Sequence, residues 1–548
     1  MNTNDQIVKE ILLHQSYVTP DDIAKAEQYA KEHNGSLIDY LYNTGLINRN
    51  LLGQAVAEAF KVPFFNLATS PPPPGQILKI PKDLASKYYL VLAEEEPTKV
   101  TIATANPNQE NLKEQLQKLI PGKIVTLAYS FPKDIESLFV SYRQPLVARL
   151  SQALKDTPGF APKILEELFE EASVDKVSDI HFEPREDAVV IRFRVDGVLQ
   201  THGNIPKSLY ENILNRIKVQ SRLRIDEHRE PQDGAMRMTV NGKTIDLRIS
   251  IVPTIDGEKT AIRILSAYLR DFNLADIGFS TSGQQLISKA IRKPFGMIIC
   301  TGPTGSGKTT TLYALIKLLN KPEVNITTIE DPIEYRITGV NQIPVSEATN
   351  LSFAKGLRSI IRQDPNIILV GEIRDGETAE IAVNAALTGH LLLTTFHAND
   401  AATAIPRLLD MGVEPFLMAS TIELIIAQRL LRVICQSCKM SQSYPRDYIH
   451  NYFPNLKNHF IDESTTLYKG KGCEVCHGTG YKGRSAIFEF IEIGKAMREL
   501  VLQKPSASQI WQLAKSEGAK DLFEDGMEKV KAGITTLEEV LRVASPRS

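Results

Sequence analysis

The run GPTGSGKTT, Gly302 to Thr310, is where residue types and spacing most directly imply chemistry. It fits G-x-x-x-x-G-K-[ST], and glycines at such places let successive backbone N–H groups turn inward into an anion-binding nest. On this reading Gly302, Pro303, Thr304, Gly305, Ser306 and Gly307 form a cradle for the phosphates of ATP. Lys308 supplies a point charge for the β- and γ-phosphates, Thr309 ligates Mg²⁺, and Thr310 belongs to the helix whose positive end faces the anion. The competing reading is a glycine-rich turn with an exposed lysine. The context disfavours it, since the apolar run GMIIC precedes the loop and a helical pattern follows.

Such a site needs carboxylates near the phosphates. IILVGEIRD offers Glu372 just beyond an apolar strand, where a carboxylate can hold Mg²⁺ through water, although Asp is the usual residue there. TTIEDPIEY adds Glu330, Asp331 and Glu334 at another strand end. Hydrolysis needs a base or orienting group for the attacking water, and Glu334 is the candidate. For each acid the alternative is a loop-surface carboxylate. TGHLLLTTFHAND contributes His390 and His397, and a histidine after a buried strand is more often a satisfied structural residue than a catalytic one.

A second chemistry lies downstream. Cys435-x-x-Cys438 and Cys473-x-x-Cys476 are two CxxC pairs, a spacing that can close a tetrahedral Cys₄ zinc site with no open position, hence structural. Redox dithiols or plain buried thiols are the alternatives. The glycines of KGKGCEVCHGTGYKG suit tight turns around a metal knuckle, whereas Cys300 reads as a small core residue.

These residues must be held by a scaffold, and the patterning supplies one. From about 271 to 548, GMIIC, NITTIE, NIILVG and HLLLTTF alternate with helical stretches, which predicts α/β architecture: a parallel, doubly wound sheet with ligands at the carboxyl ends of its strands. From about Ala161 to Ala267, the helix KILEELFEEAS with a solvated acidic face precedes strand-like runs. VDG and VNG are hairpin turn signals there, so an α+β domain is expected over roughly 155–270. Residues 1–145 mix amphipathic helices with the proline run Pro71 to Pro74 and one strand-like segment, KVTIATANP, and are read as a mainly helical region of one or two small domains.

With 548 residues the chain exceeds one hydrophobic core, and about three or four domains are expected from length. Lys+Arg total 63 against 65 Asp+Glu, which gives no electrostatic case for wrapping nucleic acid. No apolar run reaches the ~18 residues that span a bilayer. The start, MNTNDQIVKE, lacks the character of a secretory signal, so a cytoplasmic protein without direct membrane insertion is expected.

The set GPTGSGKTT, EDPIEY, VGEIRD and TGHLLLTTFHAND resembles the Walker A motif, Asp box, Walker B motif and His box of the RecA-like secretion ATPases that drive type IV pilus assembly or type II secretion. The resemblance implies that Glu334 is the catalytic glutamate and Glu372 the Walker B acid. It implies that His390 and His397 sense the nucleotide or shape the site. SDIHFEP, RFRVDGVL, EPQDG, DLRIS and GEKTAIRIL resemble the family's second domain, in which Arg248 and Arg263 match arginines acting across a domain or subunit junction. Ala235 departs from the pattern, since an arginine commonly follows QDG. The tetracysteine element, 435–476, and the long N-terminal extension resemble assembly and type II secretion members and not retraction ATPases. The resemblance further implies a homo-hexamer that works on an inner-membrane platform protein with cytoplasmic docking proteins. GSLIDYLYNTGLINRNLLGQAVAEAF, from Gly35, is similar to a helical repeat that binds cyclic di-guanylate in some members. Those binders carry an arginine where Asn34 and Gly35 stand here, which favours partner docking over binding of that nucleotide.

Overall fold

The computed structural model describes residues 9–13, 18–33, 41, 47, 49–109, 112–142, 160–240, 243–265, 277–453, 456, 460 and 462–547. The chain divides into two compact units, residues 53–271 and residues 1–52 together with 272–548. Near the N-terminus lie α1 (Pro20–His33) and α2 (Arg49–Ala59). Asn34 and Gly35, with most of the repeat-like segment that follows them, lie outside the described residues.

KVTIAT forms the middle strand of a three-stranded sheet: β1 (Leu90–Glu95), β2 (Lys99–Thr104) and β3 (Ile124–Tyr129), in the order β1-β2-β3. Successive side chains of a strand point to opposite faces, and both faces are apolar here. Leu90, Leu92, Val100 and Ile102 pack on one side, Val91, Ala93 and Ala103 on the other. This region therefore combines helices with a sheet.

The next part of the same unit holds α3 (Phe160–Val174), β4 (Asp179–Pro184), β5 (Ala188–Val195), β6 (Val198–Pro206), α4 (Lys207–Gln220), β7 (Gln232–Val240), β8 (Lys243–Thr254) and β9 (Gly257–Leu265). The strands form an antiparallel sheet ordered β6-β5-β4-β9-β8-β7. VDG makes the β5–β6 hairpin, with Asp196 and Gly197 both at positive φ (50° and 85°), as a two-residue type I′ turn demands. Asn241 and Gly242 of VNG lie outside the described residues, while Val240 and Lys243 on either side are paired. Alternation decides the faces. Ile180, Phe182, Ile191, Phe193, Ile249 and Ile262 bury against Ile164 and Leu168 of α3 and Ile213 and Ile217 of α4. The other face takes charged side chains. Of the helix's acids, Glu166 is exposed and Glu171 is buried.

The remaining unit is built on a seven-stranded sheet. Its elements include α5 (Thr281–Ile291), β10 (Gly296–Thr301), α6 (Lys308–Leu319), β11 (Ile326–Glu330), β12 (Asn341–Pro344), α7 (Phe353–Ile361), β13 (Ile367–Val370), α8 (Gly376–Leu387) and β14 (Leu391–Phe396). The long β15 (Ile422–Ile434) and β18 (Tyr481–Glu492) flank an inserted ribbon of β16 (Lys439–Pro445) and β17 (Ser464–Gly470). Strand order is β12-β11-β13-β14-β10-β15-β18, parallel except for the β15–β18 pair. The central strands read as continuous apolar runs because a parallel sheet is covered on both faces: every residue of β10, β13 and β14 is buried. Helices α7 and α8 supply Leu357, Ile360, Ala382 and Val383 to the core under β10, β13 and β14. The antiparallel closing pair, which the short-strand pattern did not reveal, carries α9 (Leu522–Lys531) and α10 (Leu537–Val543). Among the described residues no helix is long and apolar enough to cross a membrane.

Candidate active site

The order β11-β13-β14-β10 has a direct consequence. Neighbouring strands lie about 4.8 Å apart, so the loops leaving four consecutive parallel strands crowd one edge. Asp331 and Glu334 follow β11, Glu372 follows β13, His397 follows β14 and Gly302 follows β10. His390 precedes β14 and so stands at the opposite edge, a six-residue strand or roughly 20 Å away. Its Nδ1 lies 2.8 Å from the Ala385 carbonyl. The structure thus separates the two histidines, and only His397 joins the cluster.

The loop itself is built around glycines at positive φ, Gly302 at 145°, Gly305 at 78° and Gly307 at 88°. A Cβ on Gly302 would collide with the Gln428 carbonyl and lie 2.7 Å from Ser306 Oγ, so no side chain fits there. Pro303, Thr304 and Gly305 are exposed, and Thr309 and Thr310 are half-buried in the first turn of α6. Ser306 is buried with its hydroxyl unpartnered among the described residues, and Lys308 is 8% exposed. The Lys308 ammonium donates to the carbonyls of Gly302 (2.8 Å) and Pro303 (3.1 Å), and burial holds its pKa below the usual lysine range. A buried cation, an orphaned hydroxyl and a glycine cradle at a helix N-terminus together fit a polyphosphate.

Two side chains that motif reading missed brace the site, Gln428 behind the phosphate loop and Tyr313 behind the segment that follows β11. Gln428 of β15 is buried; its Oε1 accepts the Thr311 hydroxyl at 2.7 Å and lies 3.8 Å from Cys300 Sγ. Burial pushes the Cys300 thiol up to about 12, in keeping with an inert core residue. A lone amide inside IIAQRLL was the available signal, because a buried polar group must find a partner. Tyr313 of α6 donates its hydroxyl to Glu330 and accepts the Glu334 N–H and the Gln342 amide, both at 3.3 Å. Glu330 also accepts from Thr328 at 2.5 Å, and burial pushes its carboxyl up. Glu330 is thus fully engaged below the site, whereas Glu334 is half-buried on the following loop. The Glu372 carboxylate lies between Arg374 (2.5 Å) and His397 Nε2 (3.3 Å), and Arg374 also reaches Asp331 at 3.4 Å.

On the open face of the six-stranded sheet, register aligns Arg194, Asp179, Arg263 and Arg248 on adjacent strands β5, β4, β9 and β8. Arg263 Nε donates to Asp179 Oδ1 at 3.0 Å, and Arg194 Nε lies 3.3 Å from Oδ2. Arg248 and Arg263 are direct cross-strand partners, and Ala235 continues the row on β7. Sequence reasoning found the two arginines but not the carboxylate that holds one of them.

The four cysteines converge. Sγ distances are 3.9 Å for Cys435–Cys473, 3.9 Å for Cys438–Cys476 and 3.7 Å for Cys473–Cys476. A tetrahedron with Zn–S of about 2.3 Å has edges of about 3.8 Å, so the donor set fits zinc, while disulfides need sulfurs about 2 Å apart. Burial opposes ionisation of Cys476, but the N–H groups of Cys473 and Gly480, each at 3.2 Å, draw its thiol down to about 7.

A RecA-like parallel sheet with this loop and acid cluster at its carboxyl edge defines a P-loop ATP hydrolase. Residues 155–542 match the family of type II/IV secretion system proteins, and the chain belongs to that family. Residues 60–148 match the MshEN domain. The chain is 37% identical over 525 residues to the type IV pilus assembly ATPase PilB of Thermus thermophilus, matching 92% of this chain but only 59% of that protein's length. PilB of Myxococcus xanthus is 34% identical over 572 residues, with 98% of each chain covered. Type II secretion system protein E of Xanthomonas campestris is 35% identical over 558 residues, again with 98% of each covered. Among solved structures, the ATPase DotB of Legionella pneumophila superposes with a TM-score of 0.51 at 20% identity, covering 71% of this chain and 97% of that one, a likeness of fold. The family implies ATP and Mg²⁺.

Proposed function

We propose that this chain is a homo-hexameric motor, working at the cytoplasmic side of an inner membrane, that spends ATP to power type IV pilus assembly through a membrane platform protein. The loop 302–310 binds the triphosphate through its N–H groups, with Lys308 on the β- and γ-phosphates. Glu334 aligns and deprotonates the attacking water. Thr309 and Glu372 hold Mg²⁺, which when bound neutralises charge developing on the phosphate oxygens. Arg374 and His397 keep the Glu372 carboxylate in place. Arg248 and Arg263, from the domain spanning roughly 155–270, add positive charge at the γ-phosphate from across a domain or subunit junction. Residues 1–145 dock cytoplasmic partners. The Cys₄ element at 435–476 carries one structural zinc, and metal analysis of the purified protein should find close to one zinc per chain; well under one would defeat that assignment.

The observation that carries the reading is the convergence of Gly302, Glu334, Glu372 and His397 at one sheet edge. It is tested with Glu334→Gln: ATP binding should be retained while hydrolysis falls at least ~10²-fold. Turnover at the wild-type rate would remove Glu334 from the mechanism. The full-length match to a type II secretion protein E supports a second reading, assembly of a secretion pseudopilus. Deleting the gene and scoring surface pili against secreted enzymes separates the two.

A further inference from the structure

The loop after β14 presents His397 to the acid cluster, and its far side is held by groups distant in sequence. Glu489 of β18 has no exposed surface and accepts the Ala401 N–H at 2.9 Å. Arg547 Nη2 stands 3.1 Å and 3.0 Å from the two Glu489 oxygens and 3.0 Å from Asp400 Oδ2, with its guanidinium 4.1 Å from the Trp511 ring centre. Asp400 accepts the Thr403 N–H at 2.8 Å, and its backbone carbonyl accepts the hydroxyl of Thr301, the residue before the phosphate loop, at 3.4 Å. Arg429 donates to the Asn399 carbonyl at 3.2 Å and to the Val543 carbonyl at 2.5 Å, tying the same loop to α10.

Two carboxylates and one guanidinium meeting behind a loop are not needed for packing. Burying Glu489 costs desolvation that an apolar residue would avoid. What the arrangement supplies is direction. The bonds that reach the loop, from Glu489, Arg547, Thr301 and Arg429, end on residues 399–401, two to four positions after His397, whose Nε2 must stay within reach of Glu372 at 3.3 Å. A misplacement of about 1 Å at such a group can cost ~10²-fold in rate.

We propose that Glu489 and Arg547 are positioning residues for ATP hydrolysis, acting through the 397–403 loop to hold His397 against Glu372. The inference rests on the site reading above, in which Glu372 and His397 serve the reaction. It is tested on the full chain by steady-state hydrolysis of Arg547→Met, Arg547→Lys and Glu489→Gln, each alone and combined with His397→Ala. Arg547→Met and Glu489→Gln should lower kcat about 10-fold with the KM for ATP unchanged within about 2-fold, and Arg547→Lys should recover part of the loss. In the His397→Ala background neither should lower kcat further, because the pathway they support is already gone. Losses that multiply with His397→Ala, or a raised KM at full kcat, overturn the proposal. If His397→Ala alone leaves kcat intact, the assignment of His397 fails, and this inference with it. Arg547 is partly exposed, so its variants keep the test valid should Glu489→Gln unfold, which thermal melting would reveal.

Discussion

The seven-stranded and six-stranded sheets both assemble charge, yet they put it in different places. In the parallel sheet β10, β13 and β14 are buried along their whole length and carry no charged side chain, so charge gathers beyond the strand ends, where Lys308, Glu372 and His397 are found. In the antiparallel sheet one face packs on α3 and α4 and the other is open, so charge lies in rows across the strands: Arg194, Asp179, Arg263, Arg248. The difference teaches how each is addressed. An edge cluster encloses a small anion from several directions, whereas a cross-strand row presents a flat array of guanidinium groups to something approaching from outside.

The largest expected effect lies at the edge. Lys308→Ala removes the buried cation from the cradle, and hydrolysis should drop by ~10³-fold or more with weakened nucleotide binding, read by steady-state turnover and ATP titration. Unchanged ATP consumption would end the motor interpretation. Next comes the row. Arg263→Ala should lower kcat by about 10²-fold while KM moves less than about 3-fold, the signature of a group that meets the phosphate only in the transition state. An equal rise in KM would instead place Arg263 in ground-state binding. The smallest effect sharpens the comparison. Asp179→Asn leaves all three arginines but releases Arg263 and Arg194 from their shared carboxylate, and with Arg263 largely exposed the loss in kcat should be about 5-fold. A loss as large as that of Arg263→Ala would mean that the row works as one unit.

Much of this was legible early because it is local. The nest at 302–307 needs only consecutive residues with glycine at positive φ, and the CxxC pairs bring two thiolates together within one turn. The VDG hairpin is equally self-contained. The engagement of Glu330 by Tyr313 was not legible, since TTIEDPIEY offers three acids and nothing in the string says which one is buried. Nor was the separation of His390 from His397, because seven residues within one motif mean neighbours in a helix but opposite sheet edges in a strand.

By itself the sequence determined the phosphate-binding loop, the four thiolates, the alternation that makes one sheet parallel and the other half-open, and hence a P-loop hydrolase of the secretion family. Only the tertiary structure decided that β11, β13, β14 and β10 lie side by side, that Asp179 stands beside Arg263, and that Glu489 and Arg547 reach behind His397. The reason is physical. Backbone conformation answers to neighbours a few residues away, while strand order and register are settled by the burial of a whole core, to which every segment contributes at once.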